Sequence, residues 1–231
     1  MPKKRSAAAP SAPSDQQDSK AARTRGRILD AAAHILSLKG YAGTRLSDVA
    51  ERAEIQTPAI YYHFPSRDDL VEEVMYSGIA DMVKHLKRVL DGLPPDTSPM
   101  DRVIAAVDAH LRHELELSDY TTASIRNSGQ IPPPLRTRQI RENERYGRIW
   151  RRLIDNLAAS GQLRSDLDPR MAQLLVVGAL NWTAEWWDPR RGSLEKVIQN
   201  AQSIVRHGLS PTGSRGRPSR RTATPRAGEP R

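Results

Sequence analysis

The chain has 231 residues, with 36 Lys or Arg against 27 Asp or Glu, and it contains no cysteine. Disulfides, thiolate metal sites and cysteine nucleophiles are therefore excluded, and no apolar run approaches the length that crosses a membrane. The excess charge sits at the ends: residues 1–25 carry six Lys or Arg and two Asp, residues 211–231 carry six Arg and one Glu, and the charges between them balance.

Residues 1–22 are rich in Ala, Pro, Ser and charge and read as a disordered basic tail. Their first stretch, MPKKRSAAAPSAPS, has no apolar core, so it is no secretory leader and the cytoplasm is the expected location. Residues 24–39 then repeat Ile28, Leu29, Ala32, Ile35 and Leu36 at helical spacing. Leu46, Val49, Ala50 and Ala53 share the face of a second, short helix. Ile55 sits in a turn, Thr57 is placed to cap a third helix, and Pro58 follows where its missing N–H costs nothing. Ile60 and Phe64 point that helix inward. Helices this short cannot stand alone, because nucleation is costly, so the 24–39 helix must serve as their base. Three helices with a tight turn between the last two describe a helix-turn-helix, which lays its last helix in a DNA major groove.

Ser66 caps a long helix to about residue 91, with Asp68 and Asp69 in its first turn. Gly92 to Pro99 breaks the chain, and helices are expected over about 100–117, 119–128 and 134–160, the last ended by Gly161. Asp168 and Pro169 open an apolar helix through Trp187, and a last helix covers about 193–207. No strand alternation occurs, so the fold class is all-α with nine helices. The expected domains are 23–67 for DNA binding and 68–209 for ligand binding and dimerisation, with a second disordered basic tail over 210–231.

Gly40, Tyr41, Thr44, Leu46, Asp48, Val49 and Ala50, then Ala53 and Ile55, then the run from Ile60 to Leu70 resemble the N-terminal signature of TetR-type transcriptional regulators. Glu54 stands where that family commonly has glycine, and Arg45 where a second small hydroxyl residue is usual. On this placement Gln56, Thr57, Pro58 and Ala59 meet base edges; a glutamine pairs bidentately with adenine. The resemblance implies phosphate contacts from Tyr61, Tyr62 and His63, with Thr44, Arg45 and Arg67 assisting from the flanks. The rival reading, an aromatic mini-core, suits Ile60 and Phe64 but not three consecutive polar-tipped rings.

The 168–187 helix is apolar nearly all round, which demands burial on more than one side. TetR-like proteins dimerise through their last two long helices, so Met171, Leu175, Gly178, Val197 and Ile204 are the expected dimer contacts. Trp150, Trp182 and Trp186 read either as the wall of a ligand pocket or as core and dimer packing. The stretch from Ala179 to Arg190 is similar to C-terminal domains of TetR-type regulators of fatty-acid and sterol catabolism, several of which respond to acyl-CoA thioesters. Arg138, Arg141, Arg145, Arg148 and Arg152 form a stripe that suits coenzyme A phosphates, Arg145 and Arg148 above all, or is a solvated face. His110, His113 and Glu114 could approach a metal, but no fourth ligand is evident, and no metal, cofactor or catalytic set is expected. Arg215-Gly216-Arg217-Pro218 resembles an AT-hook core or is an ordinary basic tail.

These features point to a ligand-responsive, homodimeric DNA-binding regulator, a repressor released from its operator by an amphipathic effector such as an acyl-CoA. An all-α enzyme would need a nucleophile or metal set that does not emerge. An architectural DNA-binding protein, suggested by the two tails, is the alternative.

Overall fold

The computed structural model of the chain describes residues 13–117, 119–190 and 192–211. Residues 1–12 and 212–231, the latter with the Arg215–Pro218 element, lie outside them. Ten α-helical segments follow one another, and no strand occurs among the described residues. The head is built from α1 (Pro13–Gly43), α2 (Leu46–Arg52) and α3 (Thr57–His63). The body comprises α4 (Arg67–Asp91), α5 (Pro99–Arg112), α6 (Asp119–Asn127), α7 (Thr137–Ala159), α8 (Pro169–Asn181), α9 (Thr183–Trp186) and α10 (Leu194–Leu209). The one-turn α9 continues α8, so the count agrees with the nine helices expected.

Helix α1 starts well before residue 23, inside the segment read as disordered. No glycine or proline interrupts residues 14–25, so nothing stops a helix anchored further on from propagating backwards. At its other end Gly40 turns to φ 70°, which interrupts the helix. Helix α3 begins one residue earlier than a Thr57 cap would have it. Gln56 is the extended cap residue, and Thr57 and Pro58 already lie in the first turn. The long C-terminal helices also divide. Residues Pro133–Arg136 form a 3-10 turn before α7. The Thr183 hydroxyl donates to Leu180 O at 2.6 Å, where α8 gives way to α9. After α5 the backbone widens into a π turn, His113–Leu117. The other capping readings hold: Ser66 accepts from Asp69 N–H and Asp168 from Met171 N–H, and Gly161, at φ 71°, follows α7.

The apolar stripes make two cores. Ile28, Ala32, Leu36, Val49, Ala50, Ile60 and Phe64 close the head. Leu70, Val71, Val74 and Met75 of α4 and Ala123 of α6 belong to that same core. The expected boundary at 67/68 is therefore crossed by shared packing. The second core gathers α4, α5, α7, α8 and α10 around Val103, Val107, Trp150, Ile154 and Leu157.

Helix α6 couples the two. Asn127 accepts from Tyr41 N–H at 2.8 Å and donates to Leu36 O at 3.2 Å. Arg126 donates to Ser37 O of α1 at 3.1 Å and to Ala184 O of α9. On its other side α6 lies so close to α4 that a Cβ on Gly78 would stand 2.2 Å from Tyr120 O.

Glu54, in the turn between α2 and α3, has φ 53° and is the one positive-φ non-glycine residue among those described. A side chain in this left-handed region costs about 1–2 kcal/mol. Glu54→Gly is expected to gain about 0.5–1 kcal/mol after the greater entropy of the unfolded glycine chain is deducted. Urea unfolding checks this; an unchanged or lower midpoint would mean that the turn is unstrained.

Candidate DNA interface and effector domain

The candidate DNA-reading face grows from α3. Because Ile60 and Phe64 fill the head core, the residues between them must face out. Tyr61 and Tyr62 are 54% and 83% exposed, and the Tyr62 and His63 rings meet edge to face at 5.2 Å. Gln56 and Pro58 are exposed, Thr57 and Ala59 half-buried, and Arg45 is exposed at the start of α2. Gln56, Thr57, Pro58, Ala59, Tyr61, Tyr62 and His63 thus lie along one short helix and its cap. No hydrogen bond caps α3 through the Gln56 side chain, which leaves the amide to a partner.

Two expected phosphate contacts point the other way. Thr44 is buried and donates its hydroxyl to Gly40 O at 2.7 Å. Arg67 donates Nε–H to Thr44 O at 2.8 Å and Nη2–H to Tyr41 O, and its guanidinium lies 4.3 Å over the Tyr41 ring. Both side chains hold the α1–α2 turn, because its carbonyls need donors that the broken helix no longer supplies. Lysine cannot reproduce the planar fork. Arg67→Lys is expected to cost about 1.5–3 kcal/mol, the range for hydrogen bonds to charged groups, and to leave the salt dependence of DNA binding alone. An unchanged melt with a reduced salt slope would return Arg67 to the phosphates.

The tryptophans do not assemble as one wall. Trp150 is fully buried in the body core, whereas Trp182 and Trp186 are 65% and 52% exposed on the outer face. Arg145 pairs with Glu142 at 3.0 Å and Arg148 with Glu144 at 3.9 Å, all on α7. Both arginines are largely exposed, so this part of the stripe is a solvated, ion-paired face. The helix spacing was legible, but the distance between α7 and the outer face of α8–α9 was not.

Met171, Leu175, Gly178, Val197 and Ile204 do share one surface. Leu175 and Ile204 are 74% and 71% exposed, and a Cβ on Gly178 would meet nothing. Between α8 and α10 runs an apolar groove of about 800 Å³, floored by Ala172, Leu180 and Val205.

Sequence reasoning missed how His110, His113 and Glu114 are used. His110 bonds Tyr146 Oη through Nδ1 at 2.7 Å and Glu114 Oε2 through Nε2 at 2.9 Å, so neither nitrogen is free for a metal. His113 stacks on His85 at 4.8 Å. Burial, then His85, push its pKa down to about 4, which keeps the ring neutral. Among the described residues no three His, Cys, Asp or Glu side chains are placed to hold a metal, and no helix is long and apolar enough to cross a membrane.

Residues 28–74 match the family described as bacterial regulatory proteins, tetR family, and residues 96–209 match the tetracyclin repressor-like C-terminal domain. The HTH-type transcriptional repressor KstR2 of Mycobacterium tuberculosis is 24% identical over 195 residues, covering 82% of this chain and 94% of the relative. Its solved structure, titled a ketosteroid transcriptional regulator, superposes with a TM-score of 0.71 at 19% identity, over 81% of this chain and 95% of that one. AibR, solved with isovaleryl coenzyme A and operator DNA, gives 0.71 at 16% identity, over 79% and 97% of the two chains. FadR of Bacillus subtilis, solved with stearoyl-CoA, gives 0.66 at 16% identity, over 80% and 98%. At these identities the structural likeness establishes the fold.

Proposed function

Because the chain belongs to the TetR family of bacterial transcriptional regulators, we propose that it is a homodimeric repressor whose α3 reads an operator and whose body releases it on binding an amphipathic effector of the acyl-CoA class. Its curated relatives are DNA-binding regulators, and the chain is a regulator rather than an enzyme. The observation that carries the operator-reading role is the exposed Gln56–Tyr61–Tyr62 surface on a helix locked from beneath by Ile60 and Phe64. A rigid base lets side chains meet base edges without paying to order the backbone.

Dimerisation through α8 and α10 would set two reading helices one turn of B-DNA apart, about 34–36 Å. An effector acts by favouring a dimer with another spacing, and it must bind that state better to shift anything. The connection available for this is α6, whose Arg126 and Asn127 hold the end of α1. The effector class is supported by the two solved relatives that carry CoA esters.

Footprinting on genomic fragments tests the operator reading. A discrete, salt-tolerant footprint is expected, with Gln56→Ala costing about 1–3 kcal/mol at one position per half-site. Binding that is indifferent to sequence and lost steeply with salt would favour the architectural alternative, which rests on the charge of the tails. An unchanged base preference in Gln56→Ala would mean that α3 does not read where expected.

A further inference from the structure

His113 opens the π turn that joins α5 to α6, and it is 8% exposed. Both ring nitrogens are sealed from solvent, and neither meets a hydrogen-bond partner. The ring stacks instead on His85 of α4, with centroids 4.8 Å apart and planes 18° from parallel. His110, one turn earlier on α5, differs: its two nitrogens are bonded to Tyr146 and Glu114.

A neutral imidazole carries one N–H and one bare nitrogen. His113 therefore leaves a donor and an acceptor unmade in the core, which native proteins seldom tolerate. Phenylalanine would stack on His85 without that cost. The position also coincides with a π turn, a distortion that recurs at functional sites.

What histidine adds is a proton site, and its surroundings oppose the proton. From α4, His85 and Arg88 disfavour a cation and Asp81 favours it; from α5, His110 disfavours it. Within the π turn Glu114 is bonded to His110, and Glu116 lies 3.8 Å from Arg112. On α6, Asp119 is engaged by His34, and the Tyr120 hydroxyl donates to Asp30. His85 is itself lowered by burial and by Arg88, against Asp108 of α5. Burial first, then His85, hold His113 at about 4. A ring that reaches water takes up its proton near the ordinary value of about 6.5. Above pH 6.5 the neutral ring favours the closed core. As pH falls from 6.5 towards 4 that preference is lost, about tenfold per pH unit.

The π turn is tied to the head through α6. The Thr122 hydroxyl of α6 donates to Glu114 O in the turn at 2.7 Å. Further along α6, Arg126 and Asn127 hold Ser37 O and the Tyr41 amide at the end of α1.

We propose that the His113–His85 stack is an acid-sensitive latch: a proton on His113 drives its ring out of the core, opens the π turn and, through α6, loosens the hold on α1 that positions the head. The latch needs neither effector nor operator, so it stands or falls apart from the function proposed above.

Amide hydrogen exchange of the full chain, corrected for the intrinsic effect of pH on exchange, tests it. From pH 7.5 to 5.5, protection of residues 113–127 and 36–43 should fall about tenfold while that of the core segment 150–157 holds. In His113→Phe, which keeps the stack but takes no proton, protection of all three segments should hold. His113→Leu serves if the phenylalanine variant does not fold. Histidine side-chain NMR of the unaltered chain needs no variant: of its six rings, one should stay neutral until the first two segments open. Equal loss in parent and variant, loss confined to 113–127, or loss spread evenly into 150–157 overturns the latch and leaves His113 as core packing alone. So do six rings that titrate with no change in protection.

Discussion

Replacing Leu175 and Ile204 together with glutamate is expected to leave a monomer and to reduce operator affinity about a hundredfold or more, the avidity lost when two linked sites become one. Both side chains stand more than two-thirds exposed on the isolated chain, over an apolar groove between α8 and α10. Contiguous exposed apolar surface is what an interaction site offers, and two charges placed in it would be buried without partners in the proposed dimer. Neither residue belongs to the buried core, so the subunit fold should survive. Sedimentation and circular dichroism together provide the check. An intact dimer with native helix content would remove α8 and α10 from the interface, and the half-site geometry proposed above would go with them.

Gly78→Ala is expected to be the most damaging single methyl group in the molecule. The added carbon would stand 2.2 Å from Tyr120 O and 3.1 Å from Ser124 Cβ. Backbone, not a flexible side-chain end, is what it meets. The close approach is also what lets Thr121 donate to Gly78 O at 3.2 Å and Ser124 to Met75 O at 2.9 Å. Separating α4 from α6 would strain the packing by about 3 kcal/mol and weaken both bonds. That corresponds to a melting temperature lower by roughly 10 °C for a chain of this size. Gly147→Ala is the control: a Cβ there meets nothing, and alanine in a helix should gain about 0.5–1 kcal/mol. If the two variants melt alike, α4 and α6 are not in contact at Gly78. Since α6 also holds α1, a folded Gly78→Ala protein should position its heads differently and bind operator less tightly.

Much of the exposed face of α3 was legible because it is local. Ile60 and Phe64 lie one helical turn apart, so whichever way they face, Tyr61 and Tyr62 face elsewhere. Ser66, Asp168 and Gly161 mark helix ends through chemistry that involves only their own neighbours in the chain. The position of Glu54 in a turn was legible too; its positive φ follows once α2 and α3 pack on α1 and the chain between them has no slack.

The roles of Thr44, Arg67 and Trp150 were not legible. Arg67 and Thr44 are polar residues beside a DNA-binding helix, and in sequence they look the same whether they face phosphate or a broken helix end. Only the kink at Gly40, which frees the carbonyls they serve, decides between the two. Trp150 and Trp182 are both tryptophans on apolar helices, yet one lies at the centre of the core and the other on its outer surface.

The sequence by itself therefore determined most of the helices, the caps at Ser66 and Asp168, and the head with its family, because helical period and capping depend on residues three or four apart. Tertiary structure alone decided which apolar face closes the core and which is left exposed between α8 and α10. It also decided that Gly78 meets Tyr120 and that Tyr146 completes the His110–Glu114 chain. Those outcomes depend on side chains that are distant in sequence and meet only when whole helices pack, and no local pattern encodes that distance.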